Sequence, residues 1–210
     1  NKHLNLEKKV LNEADHILVT SPTTKSEFSK LTKKEITVIT NGYDVEYVAK
    51  KPLDSKFSMA HIGSFLSDRN PRVLWKSLAE ILKENEDFRN DFELKLIGKV
   101  SQEILDVINE FKLTNYVNNL GYLSHNEALI QQRISQVLLL IEINSEETVG
   151  IIPGKLFEYM AAERPILAIG PENADFSKII KETNSGTFCT YEEKDEIKEN
   201  ATLHYKKLLT

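Results

Sequence analysis

Residues 137–169 read VLLLIEINSEETVGIIPGKLFEYMAAERPILAI. Residues 137–141 are five apolar side chains in a row, far short of a membrane span and right for a strand buried on both faces. A loop containing Gly150 and Pro153 follows, and a helix is expected from Pro153 to about Glu163. Residues 165–169 (PILAI) make a second apolar run. Apolar strands spaced by a helix predict a parallel sheet with helices covering both faces.

The same alternation extends in both directions. Upstream, residues 57–62 (FSMAHI), 92–97 (FELKLI) and 116–120 are strand candidates, and 186–190 is one downstream. Asn70-Pro71 predicts a helix start with Asn70 as the cap, and Leu74, Leu78, Ile81 and Leu82 then share one face. Ser101 is expected to cap a helix carrying Ile104, Leu105, Ile108 and Phe111. Ser124 and Glu127 stand at capping-box spacing. Further helices are expected over 176–182 and 197–209, and the acid-rich run 192–199 predicts a solvated face. About six strands in this series fit an α/β, Rossmann-like, doubly wound parallel sheet with helices on both faces. A shorter series precedes it: strand 17–20, helix 24–31 and strand 36–40, ended by Asn41-Gly42. The polar stretch 44–56, with Lys50-Lys51-Pro52 inside it, predicts a linker, dividing the chain into residues 1–50 and 51–210.

Composition narrows the function. Of 210 residues, 27 are Lys or Arg and 32 are Asp or Glu, a net charge of −5 that disfavours a nucleic-acid partner. A single cysteine, Cys189, excludes an internal disulfide framework and any multi-cysteine metal site. With neither an export signal nor a cysteine pair, a cytoplasmic protein is expected, membrane-peripheral only through parts outside this sequence. Because Asn1 is not a methionine, the chain is expected to be a piece of something longer.

The chemistry-bearing residues lie where the strands end. Gly63, Gly98 and Gly121 each follow a strand, at the edge where such sheets bind ligands, although glycines also simply terminate strands. No second glycine follows Gly63 at dinucleotide-fingerprint spacing, and no nucleoside-triphosphatase phosphate loop or His-Glu-x-x-His helix is present. His61, within a strand, fits a packed core residue better than a base. The stretch from His61 to Pro71 runs strand, glycine turn, then Arg69 just before a helix, which suits an anion unless Arg69 is an ordinary surface arginine. The stretch after Gly150 is more specific. Lys155 falls in the first turn of a helix and Glu158 one turn on, so both can face one ligand. An ammonium at a helix N-terminus suits a phosphate, and a carboxylate suits a ribose diol; the alternative is a surface ion pair.

Residues 153–168 resemble the signature helix of family-4-type glycosyltransferases of the GT-B fold. Residues 14–21 and 36–44 resemble the end of that family's N-terminal acceptor domain and its hinge, and residues 57–71 resemble the first strand and phosphate turn of its C-terminal donor domain. The resemblance runs from about Ala14 to Gly186. It implies a transferase that moves a sugar from a nucleotide-diphosphate sugar to an acceptor, in glycan or polysaccharide biosynthesis. Retention at the anomeric carbon, no metal and no cofactor are implied, the nucleotide-sugar being a substrate. By likeness Glu158 would bind the ribose hydroxyls and Gly63 would admit the diphosphate. Arg69 would fall where the family often has a phosphate-binding lysine, and Gly98 and the Leu123 backbone would lie near base and ribose. Two positions depart from the pattern. Ser64 stands where the family often has an arginine, and Gly150 where it often has the first of two glutamates; Lys155 would supply the missing charge. The acceptor pocket would belong to an N-terminal domain outside the chain, which alone would turn over little. A degenerate transferase-like interaction module and a nucleotide-sugar epimerase of the same fold are the alternatives.

Overall fold

The computed structural model describes residues 2–44 and 51–208. The expected boundary after residue 50 adjoins residues 45–50, outside the described residues, as are residues 209–210.

The first elements are α1 (Lys2–Glu13), β1 (Ile17–Val19), α2 (Pro22–Ser29) and β2 (Ile36–Val38). β1 and β2 pair in parallel, and Leu11 of α1 packs with Ile17, Val19 and Ile36 in a small core. α2 begins at Pro22 rather than at Thr24. Ser21 accepts a hydrogen bond from the Thr24 amide, and Pro22 occupies the first turn, where its missing N–H costs nothing.

The second series contains β3 (Phe57–Ile62), α3 (Arg72–Glu84), α4 (Glu86–Asp91), β4 (Phe92–Ile97), α5 (Gln102–Glu110) and β5 (Val117–Gly121). It continues with α6 (His125–Ile134), β6 (Val137–Ile141), α7 (Gly154–Ala161), β7 (Ile166–Gly170), α8 (Asp175–Thr183), β8 (Gly186–Thr190) and α9 (Lys194–Leu208). These strands form one parallel sheet in the order β5-β4-β3-β6-β7-β8. Alternate side chains of β3 serve the two faces. Phe57 and Met59 join Trp75 and Leu78 of α3 and Tyr205 of α9; Ala60 and Ile62 join Leu156 and Tyr159 of α7 and Phe176 of α8. The doubly wound expectation is met. Among the described residues no helix is long and apolar enough to cross a membrane.

Two capping expectations fail at the side chain. Pro71, not Asn70, precedes α3, and the Asn70 Oδ1 instead accepts from the Trp75 indole N–H at 2.8 Å. Trp75 is fully buried, and a buried indole needs an acceptor. Ser101 precedes α5 but makes no capping bond. The Ser124–Glu127 capping box at α6 forms as expected.

Two buried histidines make stability sensitive to acid. Burial, then the Lys155 and Arg69 charges, hold the His61 pKa well below its ordinary value; burial and Lys207 lower His204 from 6.5 to about 4. Among the described residues, neither His61 Nε2 nor either His204 ring nitrogen has a hydrogen-bond partner. The unfolded chain therefore takes up these protons first. The stability that the neutral His204 ring contributes is complete above pH 6.5 and is lost as pH falls from there toward about 4, and His61 acts in the same direction. For His204 the loss reaches up to about 3 kcal/mol. Urea titrations at several pH values should show this decline, and His204→Leu should flatten it; a variant with an unchanged slope contradicts the account.

Candidate functional site

The sheet order reverses between β3 and β6, and the crevice beyond their carboxyl ends is where such sheets place a ligand. Three glycine turns stand side by side at the carboxyl ends of β3, β4 and β5. Gly63, Gly98 and Gly121 have φ of 114°, 110° and 63°. The Gly63 amide bonds to the Ile97 carbonyl at 2.8 Å, and the Gly98 amide to the Gly121 carbonyl at 2.7 Å. A Cβ on Gly98 would lie 2.5 Å from the Gly63 carbonyl oxygen. The bare backbone at Gly98 thus makes room for the neighbouring turn. At Gly63 a Cβ would meet the Lys155 Nζ at 3.3 Å, so the ammonium stands directly over this turn.

Lys155 projects from the first turn of α7, which no side chain caps. Its ammonium has neither a hydrogen bond nor an ion pair among the described residues. Burial, reinforced by the Arg69 charge, pulls its pKa below the ordinary lysine value, and Glu142 and Glu158 only partly offset this. A half-buried cation with no direct counter-ion is costly in the free protein and ready for an anionic ligand.

Glu158 lies one turn along α7 and is half-buried. Its Oε2 accepts from the Gln132 Nε2 at 3.0 Å, an arrangement that fixes the carboxylate without neutralising it. No ion pair joins it to Lys155, so the surface-pair alternative is not what the geometry contains. Glu158 borders a cavity of about 340 Å³ between α6 and α7, together with Asp44, His125 and Arg133. Ser64 is exposed beside Gly63, and Leu123 packs against the core below the Gly121 turn.

Arg69 is held more tightly than the sequence suggested. Its Nε and Nη2 donate to the Glu142 Oε1 at 3.1 and 2.9 Å, and the guanidinium side chain is 25% exposed against 4% for Glu142. It is therefore not an ordinary surface arginine. The Ile143 amide also donates to Glu142 Oε1 at 2.9 Å. Sequence reasoning missed Glu142. The available signal was a charged residue immediately after the five apolar residues of β6, at the strand end facing the crevice. His61 is core-packed as expected: its ring stacks on Phe65 at 4.1 Å between centroids, and the residue is 1% exposed.

No protein-family model and no curated protein matches the chain. Solved structures do. The S. aureus TarM structure aligns with 100% of this chain and 41% of its own, at 15% identity and a TM-score of 0.72. HepE of Anabaena aligns with 99% of this chain and 58% of its own, at 16% identity and a TM-score of 0.70. The C-terminal domain of LpcC, a group 1 glycosyl transferase of Francisella tularensis, aligns with 76% of this chain and 85% of its own, at 14% identity and a TM-score of 0.56. The fold is that of the GT-B glycosyltransferases. The chain spans about half or less of the length of the first matched GT-B structures, from 40% of TarM to 55% of WaaG.

Proposed function

We propose that the chain is the donor-binding half of a glycosyltransferase that takes a nucleotide-diphosphate sugar and passes the sugar to an acceptor. The observation that carries this reading is the unpaired, half-buried Lys155 ammonium over the Gly63 turn, at the switch point of the sheet. Matched GT-B structures that hold UDP include S. aureus TarM and HepE, the latter with glucose. In this chain the pyrophosphate lies against the Gly63 turn and the first turn of α7, with Lys155 as its principal charge partner. Arg69 faces the same turn while braced on Glu142. Glu158 takes the ribose diol, and the turns at Gly98 and Leu123 border the base.

When the glycosidic bond breaks, negative charge grows on the β-phosphate. Lys155, Arg69 and the α7 amides are already oriented and need no rearrangement to stabilise it. The leaving phosphate can accept the acceptor's proton, so no general base from this chain is required. We assign retention of anomeric configuration and a metal-independent reaction on the family resemblance. The acceptor pocket belongs to the rest of the N-terminal half, so this chain binds nucleotide but transfers little.

The ribose assignment is tested by comparing UDP with 2′-deoxy-UDP in calorimetry. Glu158→Ala should cost about tenfold or more in UDP affinity. It should cost far less with the deoxynucleotide, which already lacks one hydroxyl. Equal losses with both nucleotides would remove Glu158 from the site. The Arg69–Glu142 pair favours a second reading, a transferase-like interaction module whose phosphate cation has been neutralised. That module would show neither nucleotide affinity nor any effect of Glu158→Ala on it.

A further inference from the structure

The contact between the first βαβ unit and the six-stranded sheet centres on one carboxylate. Asp175, the first residue of α8, is 2% exposed. Its backbone N–H donates to the Val149 carbonyl at 2.9 Å. Its Oδ2 accepts from the Thr23 amide, in the first turn of α2, at 2.8 Å, and its Oδ1 pairs with Lys178 at 3.0 Å. Burial alone would raise the Asp175 pKa, but the Thr23 amide and Lys178 outweigh it and hold the carboxyl below its ordinary value. Next to it, a Cβ on Gly150 would lie 3.2 Å from the Thr23 Cβ and 3.3 Å from the Ser21 Oγ. Ser21, which caps α2, is completely buried.

A carboxylate at a helix N-terminus satisfies an orphan amide and complements the helix dipole. Here the helix belongs to one unit and the carboxylate to the other. The carbonyl that Asp175 also grips, Val149, opens the loop that runs through Gly150 to Lys155. We propose that Asp175 is a positioning residue that clamps α2 onto this loop, so that the N-terminal wall and the segment bearing Lys155 move together. The lack of a side chain at Gly150 is part of the same device: the space is taken by α2. The role assigned to the loop rests on the donor-site reading, but the clamp itself does not.

The clamp is tested by amide hydrogen exchange of the nucleotide-free chain, followed residue by residue. The Thr23 amide should be protected in the native protein. In Asp175→Ala it should exchange at least about tenfold faster, the loss of one charge-assisted hydrogen bond. Gly150→Glu, which leaves Asp175 in place but drives a side chain into Thr23, should release it by a similar factor. Asp175→Asn keeps an acceptor oxygen and should retain most of the protection. The Leu139 and Leu140 amides of β6 should be unaffected throughout. An unprotected Thr23 in the native chain overturns the proposal. So does an Asp175→Ala variant with unchanged Thr23 exchange, or one in which β6 accelerates equally, which would make Asp175 a general support of the fold. No nucleotide enters the measurement, so a failure to bind UDP and a failure of the clamp are separate results.

Discussion

Lys155→Met should make the nucleotide-free protein more stable, by about 1 kcal/mol, while weakening UDP binding at least about 30-fold. The two effects have one cause. The Lys155 ammonium is half-buried, stands beside the like charge of Arg69, and has no ion-pair or hydrogen-bond partner among the described residues. Folding therefore strips water from a cation and returns little for it. Methionine has a similar length and no charge to desolvate, and it can fill the same space over the Gly63 turn. A pyrophosphate bound there supplies the missing counter-charge, and a hydrogen bond to a charged group contributes about 1.5–3 kcal/mol. Urea unfolding and calorimetry on the same preparation read both quantities. A destabilised variant, or one that binds UDP like the native chain, contradicts this account of Lys155.

Gly98→Ala carries the largest expected loss of stability, about 3–5 kcal/mol, and should take nucleotide binding with it. The added Cβ would sit 2.5 Å from the Gly63 carbonyl oxygen and 2.8 Å from its carbon. Both atoms are backbone, so no rotamer change relieves the clash. The φ of 110° is also one that an alanine adopts only under strain. The turn that must yield is the one under Lys155. Gly121→Ala is the natural control. Its φ is 63°, but nothing lies within 4 Å of the added Cβ, so a cost of about 1 kcal/mol is expected. Denaturant unfolding of the pair should separate them clearly. Similar costs for both would show that backbone conformation, not the stacking of the turns, decides this edge.

Much of the fold was legible because its central strands are buried on both faces. Residues 57–62, 92–97 and 137–141 are strands with the same ends that the apolar runs predict. The helices α1 and α4 were not legible. Each buries one side chain, Leu11 or Phe88, so neither presents an apolar stripe to read. Asn70 looked like a cap because its neighbourhood fits one, but the demand of the buried Trp75 N–H, five residues on, took its side chain. At the site, Lys155 and Glu158 were visible from helical spacing alone. The Arg69–Glu142 pair was not, because 73 residues separate its partners and only the adjacency of β3 and β6 brings them together. Gly150 was legible as a departure from a pattern; its reason, the seat of α2, is a contact between units that no local pattern encodes.

The central claim is that a cationic cradle around Lys155 accepts a nucleoside diphosphate. Calorimetric titration of the native chain with UDP, GDP and UMP tests it most directly. At least one diphosphate should show saturable one-site binding, more weakly matched by the monophosphate and lost with Lys155→Met. Absence of binding by every diphosphate, or binding indifferent to the charge at residue 155, would contradict it.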